Sequence, residues 1–200
     1  IRNNIPELLR KPVNNEIKIE RYRTITMRDG VRLATDIYRP KGGGKHPLIL
    51  SRTPYNFNTW VDGKMTSRAL EEAYQAVSRG YVYVVQNERG RFLYEGEWDI
   101  LCTPITDGYD ALDWMSKQSW SNGKVGLIGC SSTAEWQMAV ASQNHPALAA
   151  MVAQGFGAGI GKVGKFQEQG NWYRGGAQQM LFTPWLYGTQ HDKMAPRLPL

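Results

Sequence analysis

The architecture of this chain follows from the stretch Lys124-Val125-Gly126-Leu127-Ile128-Gly129-Cys130-Ser131-Ser132-Thr133-Ala134. An apolar run ends at Gly129, a serine follows two residues later, and a helix-forming segment begins at once. This is the layout of a nucleophile elbow, a sharp strand-to-helix turn that exposes a serine oxygen. The turn needs a small residue such as Gly129, and it points the backbone N–H of Ser132 to where an oxyanion would form. The pattern predicts that Ser131 is a catalytic nucleophile, although a serine in front of a helix is more often an N-cap.

Length and composition indicate a globular protein. The 200 residues suit one domain with a real core, and 42% hydrophobic and 21% charged residues are ordinary values. No apolar run reaches the ~18–20 residues of a membrane span, so we expect no membrane partner. The net charge of +6 resides in residues 1–45, which hold eleven Lys and Arg against five Asp and Glu. No Arg-rich helix or aromatic platform accompanies this charge, so nucleic acid is not an expected partner.

Strands alternate with helices along the chain, which predicts an α/β fold with a largely parallel sheet behind an opening hairpin. We expect residues 1–155 to belong to the catalytic domain and residues 156–200, rich in glycine and aromatics, to begin a cap. A cap of this kind would lie over the sheet as loops and short helices. The predicted strands are 16–27, 31–38, 46–53, 81–86, the elbow strand and 149–154; the predicted helices are 64–79, 107–118 with Thr106 or Asp107 as its cap, and 132–143.

Three polar residues follow predicted strands: Tyr55, Arg89 and Ser131. Reactive residues gather at the carboxyl ends of the strands in parallel sheets, so we expect these three at one edge. A cysteine in the elbow could itself be a nucleophile beside a base. Ser131 is preferred, because Cys130 closes the elbow strand and is expected to point into the core as a small apolar group. No His-x-x-x-His or Cys-x-x-Cys spacing is present, so the sequence predicts no metal site and no cofactor.

Four segments together resemble one known family, the α/β-hydrolases grouped with cocaine esterase, X-Pro dipeptidyl peptidase and the α-amino acid ester hydrolases. The first is similar to the opening hairpin of that family, the second to its oxyanion segment, the third to its Arg-Gly loop and the fourth to its elbow. They are Met27–Leu33 with Asp36–Pro40, Arg52–Asn56, Arg89-Gly90 with Glu95–Trp98, and Trp120–Gly126 leading to Gly129-Cys130-Ser131.

The resemblance implies a serine hydrolase that cleaves ester or amide bonds through an acyl-enzyme. Ser131 matches the nucleophile, Tyr55 the side-chain oxyanion donor and the N–H of Ser132 the second donor. Trp172 and Tyr173 fall where the ester-hydrolase branch contacts its substrate. The implied substrate is a small ester, amide or peptide-like molecule.

The chain departs from the family pattern at several positions. Where the family usually has tyrosine and glycine after the nucleophile, this chain has Ser132 and Ala134, and it has Asn87 and Tyr94 where aspartate and serine are frequent. The ester-hydrolase branch also places a carboxylate pair before its tryptophan, whereas Gly170-Asn171 precedes Trp172 here. These departures motivate an alternative, a hydrolase-like scaffold that only binds ligands or partners.

The acid and histidine of a triad are not evident in this sequence. A serine nucleophile needs a histidine to accept its proton and an acid to orient that histidine. His46 opens a strand, His145 ends the elbow helix away from the reactive edge, and only His191 is placed to reach back. We therefore expect the rest of the same enzyme to supply Asp and His. The absence of a starting methionine favours an exported, processed chain, and the sequence leaves a homo-oligomer open.

Overall fold

The computed structural model describes residues 16–92, 95–98 and 104–155, together with 173–174, 177–178, 180 and 184–185. The chain divides into two compact units, Ile1–Gln154 and Gly155–Leu200. In the first unit, the strands are β1 (Ile17–Thr26), β2 (Arg32–Pro40), β3 (His46–Thr53), β4 (Asn58–Val61), β5 (Lys64–Ser67), β6 (Val82–Asn87), β7 (Ser121–Cys130) and β8 (Leu148–Gln154). Its helices are α1 (Leu70–Ser78), α2 (Pro104–Ser116) and α3 (Ser132–Ala141).

Six of these strands form one sheet in the order β1-β2-β6-β3-β7-β8. β1 and β2 form an antiparallel hairpin, and β2 is antiparallel to β6. From β6 onward the neighbours are parallel, so β3, β6, β7 and β8 end at the same edge of the sheet. This arrangement confirms the predicted α/β class with an opening hairpin and a mostly parallel sheet.

The two faces of the sheet carry separate apolar clusters. On one face, Leu50, Val84 and Leu127 pack with Leu112 of α2 and Trp136 of α3 in a fully buried core. On the other face, α1 packs its buried alanines and Val77 against Tyr83 and Val85. Successive residues of a strand point to opposite faces, which is why neighbouring residues of β6 serve different clusters.

The predicted helix over 64–79 is wrong at its start. Residues 64–67 form β5, paired antiparallel with β4, and the helix begins only at Leu70. The turn between these strands is Asp62-Gly63, and both residues have positive φ, 49° and 72°. Such a pair is typical of a tight β-hairpin, whose turn requires φ > 0 at both central positions.

The other predicted elements agree with the structure to within a few residues. β3 has the predicted bounds, His46–Thr53. α2 begins earlier than predicted, at Pro104, so Thr106 and Asp107 lie inside the helix and the predicted cap is wrong. Proline is favoured in the first turn of a helix because its missing N–H would have no partner there.

The second unit is described only in part. A two-stranded antiparallel ladder joins β9 (Tyr173–Arg174) and β10 (Ala177–Gln178), and residues 184–185 are helical. Most of the predicted cap, 156–200, lies outside the described residues. No helix in the described part of the chain has both the length and the hydropathy needed to cross a membrane.

Candidate active site

Ser131 lies at the junction between β7 and α3, in a backbone conformation that residues other than glycine rarely adopt. Its φ is 57° and its ψ is −128°, and the residue is exposed. The surrounding backbone holds it there: its N–H donates to the carbonyl of Gln154 on β8 at 2.8 Å, and its carbonyl accepts from the N–H of Ala134 at 2.8 Å. Strained residues of this kind persist only where neighbouring bonds over-determine them, and they cluster at functional sites.

The turn around Ser131 is tight because Gly129 and Thr133 are in close contact. A Cβ at Gly129 would overlap the backbone carbonyl of Thr133, so only glycine fits two residues before the serine. The Thr133 hydroxyl accepts from the N–H of Cys130 at 2.7 Å and donates to the Cys130 carbonyl at 2.6 Å. One side chain therefore binds the strand end to the first turn of α3.

The first turn of α3 provides hydrogen-bond donors beside Ser131. Ser132 is the first residue of the helix, where a backbone N–H has no acceptor within its own helix. The N–H groups of the first turn also carry the partial positive charge of the helix N-terminus. The N–H of Ser132, the predicted oxyanion donor, belongs to this first turn and follows Ser131 directly.

Tyr55 lies two residues beyond the end of β3, at the same edge of the sheet as Ser131. Its side chain is 37% exposed, and its backbone N–H donates to the Thr53 hydroxyl at 3.0 Å. A cavity of about 350 Å³ joins this loop to the elbow, because Tyr55 lines it together with Gly129, Cys130 and Thr133. The predicted oxyanion tyrosine and the residues that flank the predicted nucleophile thus border one space.

The prediction for Cys130 is wrong, because its thiol is exposed and borders this cavity. The alternation of β7 explains the outcome. Val125 and Leu127 face the core between the sheet and helices α2 and α3, so Ile128 and Cys130 face the opposite side. The sequence showed the alternation, but the face that the main core occupies was not evident from it.

Buried charges connect the strand ends next to the site. Asp107 of α2 accepts from Arg89 at 2.9 Å and 2.5 Å, and its carboxylate lies 3.5 Å from the guanidinium of Arg52. Arg52 is fully buried and lies over the ring of Trp136 on α3, 5.2 Å from its centroid. Burial lowers the pKa of Arg52, and Asp107 opposes that shift.

Glu88 belongs to the same region and binds the loop after β6. Its carboxylate accepts from the Trp98 indole N–H at 2.8 Å. Burial raises the pKa of Glu88, while the Arg52 charge lowers it. The sequence predicts Arg89 at a strand end, but it does not predict the contacts of Arg89 and Arg52 with Asp107, because these residues are distant from one another in the chain.

The histidines of the described residues lie at the N-terminal ends of the parallel strands, opposite the strand ends that carry Ser131 and Tyr55. His46 opens β3, and its Nδ1 is 3.0 Å from the Gly80 carbonyl. His145 is buried just before β8, where its Nδ1 accepts from the N–H of Ala147 at 3.1 Å. Both precede parallel strands whose far ends lie beside Ser131. The structure therefore agrees with the predicted position of His145, and His191 lies outside the described residues.

Other predicted site residues are only partly described. Trp172 lies outside the described residues, and Tyr173 is described only through its backbone in β9. Within the described residues, no group of three or more His, Cys, Asp or Glu side chains could hold a metal ion.

Comparisons with known proteins agree with this geometry. The chain is 40% identical over 119 residues to the cocaine esterase of Rhodococcus sp. (strain MB1 Bresler), a match covering 58% of this chain and 20% of the esterase. An α-amino acid ester hydrolase superposes with a TM-score of 0.68 at 27% identity, over 90% of this chain and 31% of that one. A CocE/NonD family hydrolase from Staphylococcus aureus gives a TM-score of 0.68 at 25% identity, over 88% of this chain and 34% of that one.

These comparisons establish the α/β-hydrolase fold. The chain spans about a fifth of the length of the curated relatives it matches. The profile of one family, the X-Pro dipeptidyl-peptidase (S15) family, matches residues 29–199. That match includes β2, the Tyr55 loop, the elbow and α3. The chain therefore belongs to the X-Pro dipeptidyl-peptidase (S15) family.

Proposed function

We propose that this chain carries the nucleophile and the oxyanion donors of a serine hydrolase that cleaves carboxylic ester or amide bonds. The observation that carries the proposal is the conformation of Ser131, exposed at φ 57° and ψ −128° in front of the N-terminus of α3. A serine that served only as a helix N-cap would bond its hydroxyl to the first turn, and α3 has no such side-chain bond. The strained turn is therefore better explained by catalysis than by capping.

The reaction proceeds through an acyl-enzyme. The Ser131 hydroxyl oxygen bonds to the substrate carbonyl carbon, and its proton passes to a histidine outside the described residues. The oxyanion accepts from the N–H of Ser132 and from the Tyr55 hydroxyl, a donor that brings no formal charge. Collapse of the tetrahedral intermediate expels the alcohol or amine, which takes the proton from the histidine. Water then cleaves the acyl-serine bond by the same steps.

We further propose that the acid and the histidine come from the remainder of the same polypeptide. One support is that the described histidines lie at the N-terminal ends of the parallel strands, away from Ser131. The other is that this chain spans only 20–34% of the length of its relatives. In α/β-hydrolases both residues follow the serine in the chain, acid first. The proposed substrates are small esters, amides or peptide-like molecules, in keeping with the named relatives.

Replacing the nucleophile tests the function. In the full-length protein, Ser131→Ala should lower kcat for 4-nitrophenyl butyrate by about 10⁵–10⁶-fold, because the variant lacks the hydroxyl that is proposed to form the acyl-enzyme. A fluorophosphonate probe should label Ser131 in the wild type and nothing in the variant. Ser142→Ala is the matched control, since Ser142 is exposed at the other end of α3. Undiminished turnover in Ser131→Ala would instead support the alternative of a binding scaffold.

A further inference from the structure

The loop that carries Tyr55 is held by donors from the neighbouring strand. β3 and β6 are parallel partners, and their last paired residues are Thr53 and Asn87. The Thr53 carbonyl accepts from the N–H of Glu88 at 3.0 Å, which extends the ladder by one bond. Beyond this point β3 ends and the chain turns into the Tyr55 loop.

Asn87 bridges the two sides of that turn. Its Nδ2 donates to the Tyr55 carbonyl at 2.8 Å and lies 3.3 Å from the Thr53 carbonyl. The side chain is 1% exposed, so water does not compete for these bonds. One amide group therefore connects the last residue of β3 to the residue that bears the phenol.

A second side chain, in the loop that follows β6, also donates to the Tyr55 loop. The Nε of Arg91 donates to the Pro54 carbonyl at 2.8 Å. The carbonyls of three consecutive residues, Thr53, Pro54 and Tyr55, thus accept from two side chains, one at the end of β6 and one in the loop after it. With its own N–H bound to the Thr53 hydroxyl, Tyr55 is fixed on both sides of its backbone. Only the side-chain torsions are then left to set the position of the hydroxyl.

We propose that Asn87 is a positioning residue for the oxyanion donor: it fixes the Tyr55 backbone so that the phenol hydroxyl reaches the developing negative charge. This inference rests on the proposed hydrolase function. Donor groups must be held within about 0.5 Å of the productive geometry, and a misplacement of about 1 Å can lower the rate about 10²-fold. Asn87 does not touch the substrate; it acts through Tyr55.

A double-mutant cycle in the full-length protein separates this role from a general loss of structure. Asn87→Ala should lower kcat for 4-nitrophenyl butyrate about 10- to 100-fold with KM changed less than about 3-fold, because the oxyanion bond strengthens in the transition state. Tyr55→Phe should lower kcat by about 10²–10³-fold. Adding Asn87→Ala to Tyr55→Phe should lower kcat by less than about 3-fold more, since the hydroxyl to be positioned is gone.

Controls distinguish the possible failures. Asn122→Ala is the matched control, because the Asn122 side chain accepts from the N–H of Lys124 in an exposed turn. If Asn87→Ala does not fold, Arg91→Lys enters the same cycle, since lysine keeps the charge but lacks the Nε donor to Pro54. Equal losses of kcat with and without the Tyr55 hydroxyl, or a change in KM alone, would overturn the inference. Undiminished turnover in Ser131→Ala would overturn the proposed function itself.

Discussion

At the scale of single residues, the position of Ser131 is a balance between strain and hydrogen bonding. A residue with a Cβ at φ 57° and ψ −128° is destabilised by about 1–3 kcal/mol. Two bonds of the Thr133 hydroxyl to Cys130, and the bond from the Ser131 N–H to Gln154, hold the backbone in this conformation. Ser131 is exposed in this conformation.

Strain at Ser131 predicts an unusual order of stability among its variants. The free energy of unfolding should be about 1 kcal/mol higher for Ser131→Gly than for Ser131→Ala, because glycine adopts positive φ without steric cost. Ser142 provides the opposite case: it has helical torsions, φ −61° and ψ −16°. There glycine should be less stable than alanine by about 0.5–1 kcal/mol. Thermal and urea unfolding of the four variants measures both differences, and the same order at both sites would contradict the strain.

At the scale of elements, the ends of β3 and β6 are joined to α2 by buried charges. Asp107, 1% exposed, accepts from Arg89 and lies near Arg52. Arg89 also donates to Asp29 in the turn of the first hairpin at 2.8 Å. The carboxylates raise the pKa of Arg89 above its ordinary value, so the guanidinium remains charged throughout the working range of pH. The ends of β3 and β6 and the turn of the first hairpin are therefore held together by one cluster of ion pairs around Asp107, which we call the Asp107 cluster.

Loss of the Asp107 charge should weaken the Asp107 cluster and lower the stability of the protein. Asp107→Asn leaves two guanidinium groups facing each other without their carboxylate, so we expect the free energy of unfolding to fall by about 3–5 kcal/mol. Asp113→Asn is the matched control on the same helix. Asp113 is half-exposed and pairs with Lys117 four residues later, a contact worth about 0.3–0.5 kcal/mol. Chemical unfolding of both variants measures the two free energies of unfolding. Similar decreases in the two variants would show that the buried charges stabilise the fold no more than the exposed pair does.

Much of this architecture could be predicted from the sequence because strands such as β3 are continuous apolar runs between turn residues. The same approach failed at Lys64–Ser67, where helical spacing outweighed the Asp62-Gly63 turn. It also failed at Cys130, because alternation gives two faces without saying which one is buried. The elbow was visible as a local pattern of glycine and serine.

The contacts around the site could not be predicted in the same way. Asn87 and Tyr55 lie 32 positions apart, and Arg52 and Asp107 lie 55 apart, so no local pattern connects them. The resemblance indicated Tyr55 and Ser131 but said nothing of what holds them. Such contacts depend on the order of strands in the sheet, which a single sequence does not specify.

At the scale of the whole molecule, the two edges of the six-stranded sheet differ in character. β1 carries four charged residues within Lys18–Arg23, a common protection of an edge strand against pairing with another chain. β8 reads Leu-Ala-Ala-Met-Val-Ala-Gln and has no charge, yet Met151 and Val152 are 37% and 48% exposed. Parallel strands of this composition are normally buried on both faces. The composition of β8 is that of an interior strand.

The contrast between the edges predicts how the 200-residue chain behaves when it is produced alone. We expect it to self-associate through β8, because an exposed apolar edge strand pairs readily with a second copy. Val152→Lys places a charge in the middle of that edge and should shift the sedimentation profile toward the monomer. Ile19→Lys, at a similarly exposed position of the already charged β1, should leave the profile unchanged. A wild-type chain that stays monomeric at all concentrations would show that β8 does not promote self-association.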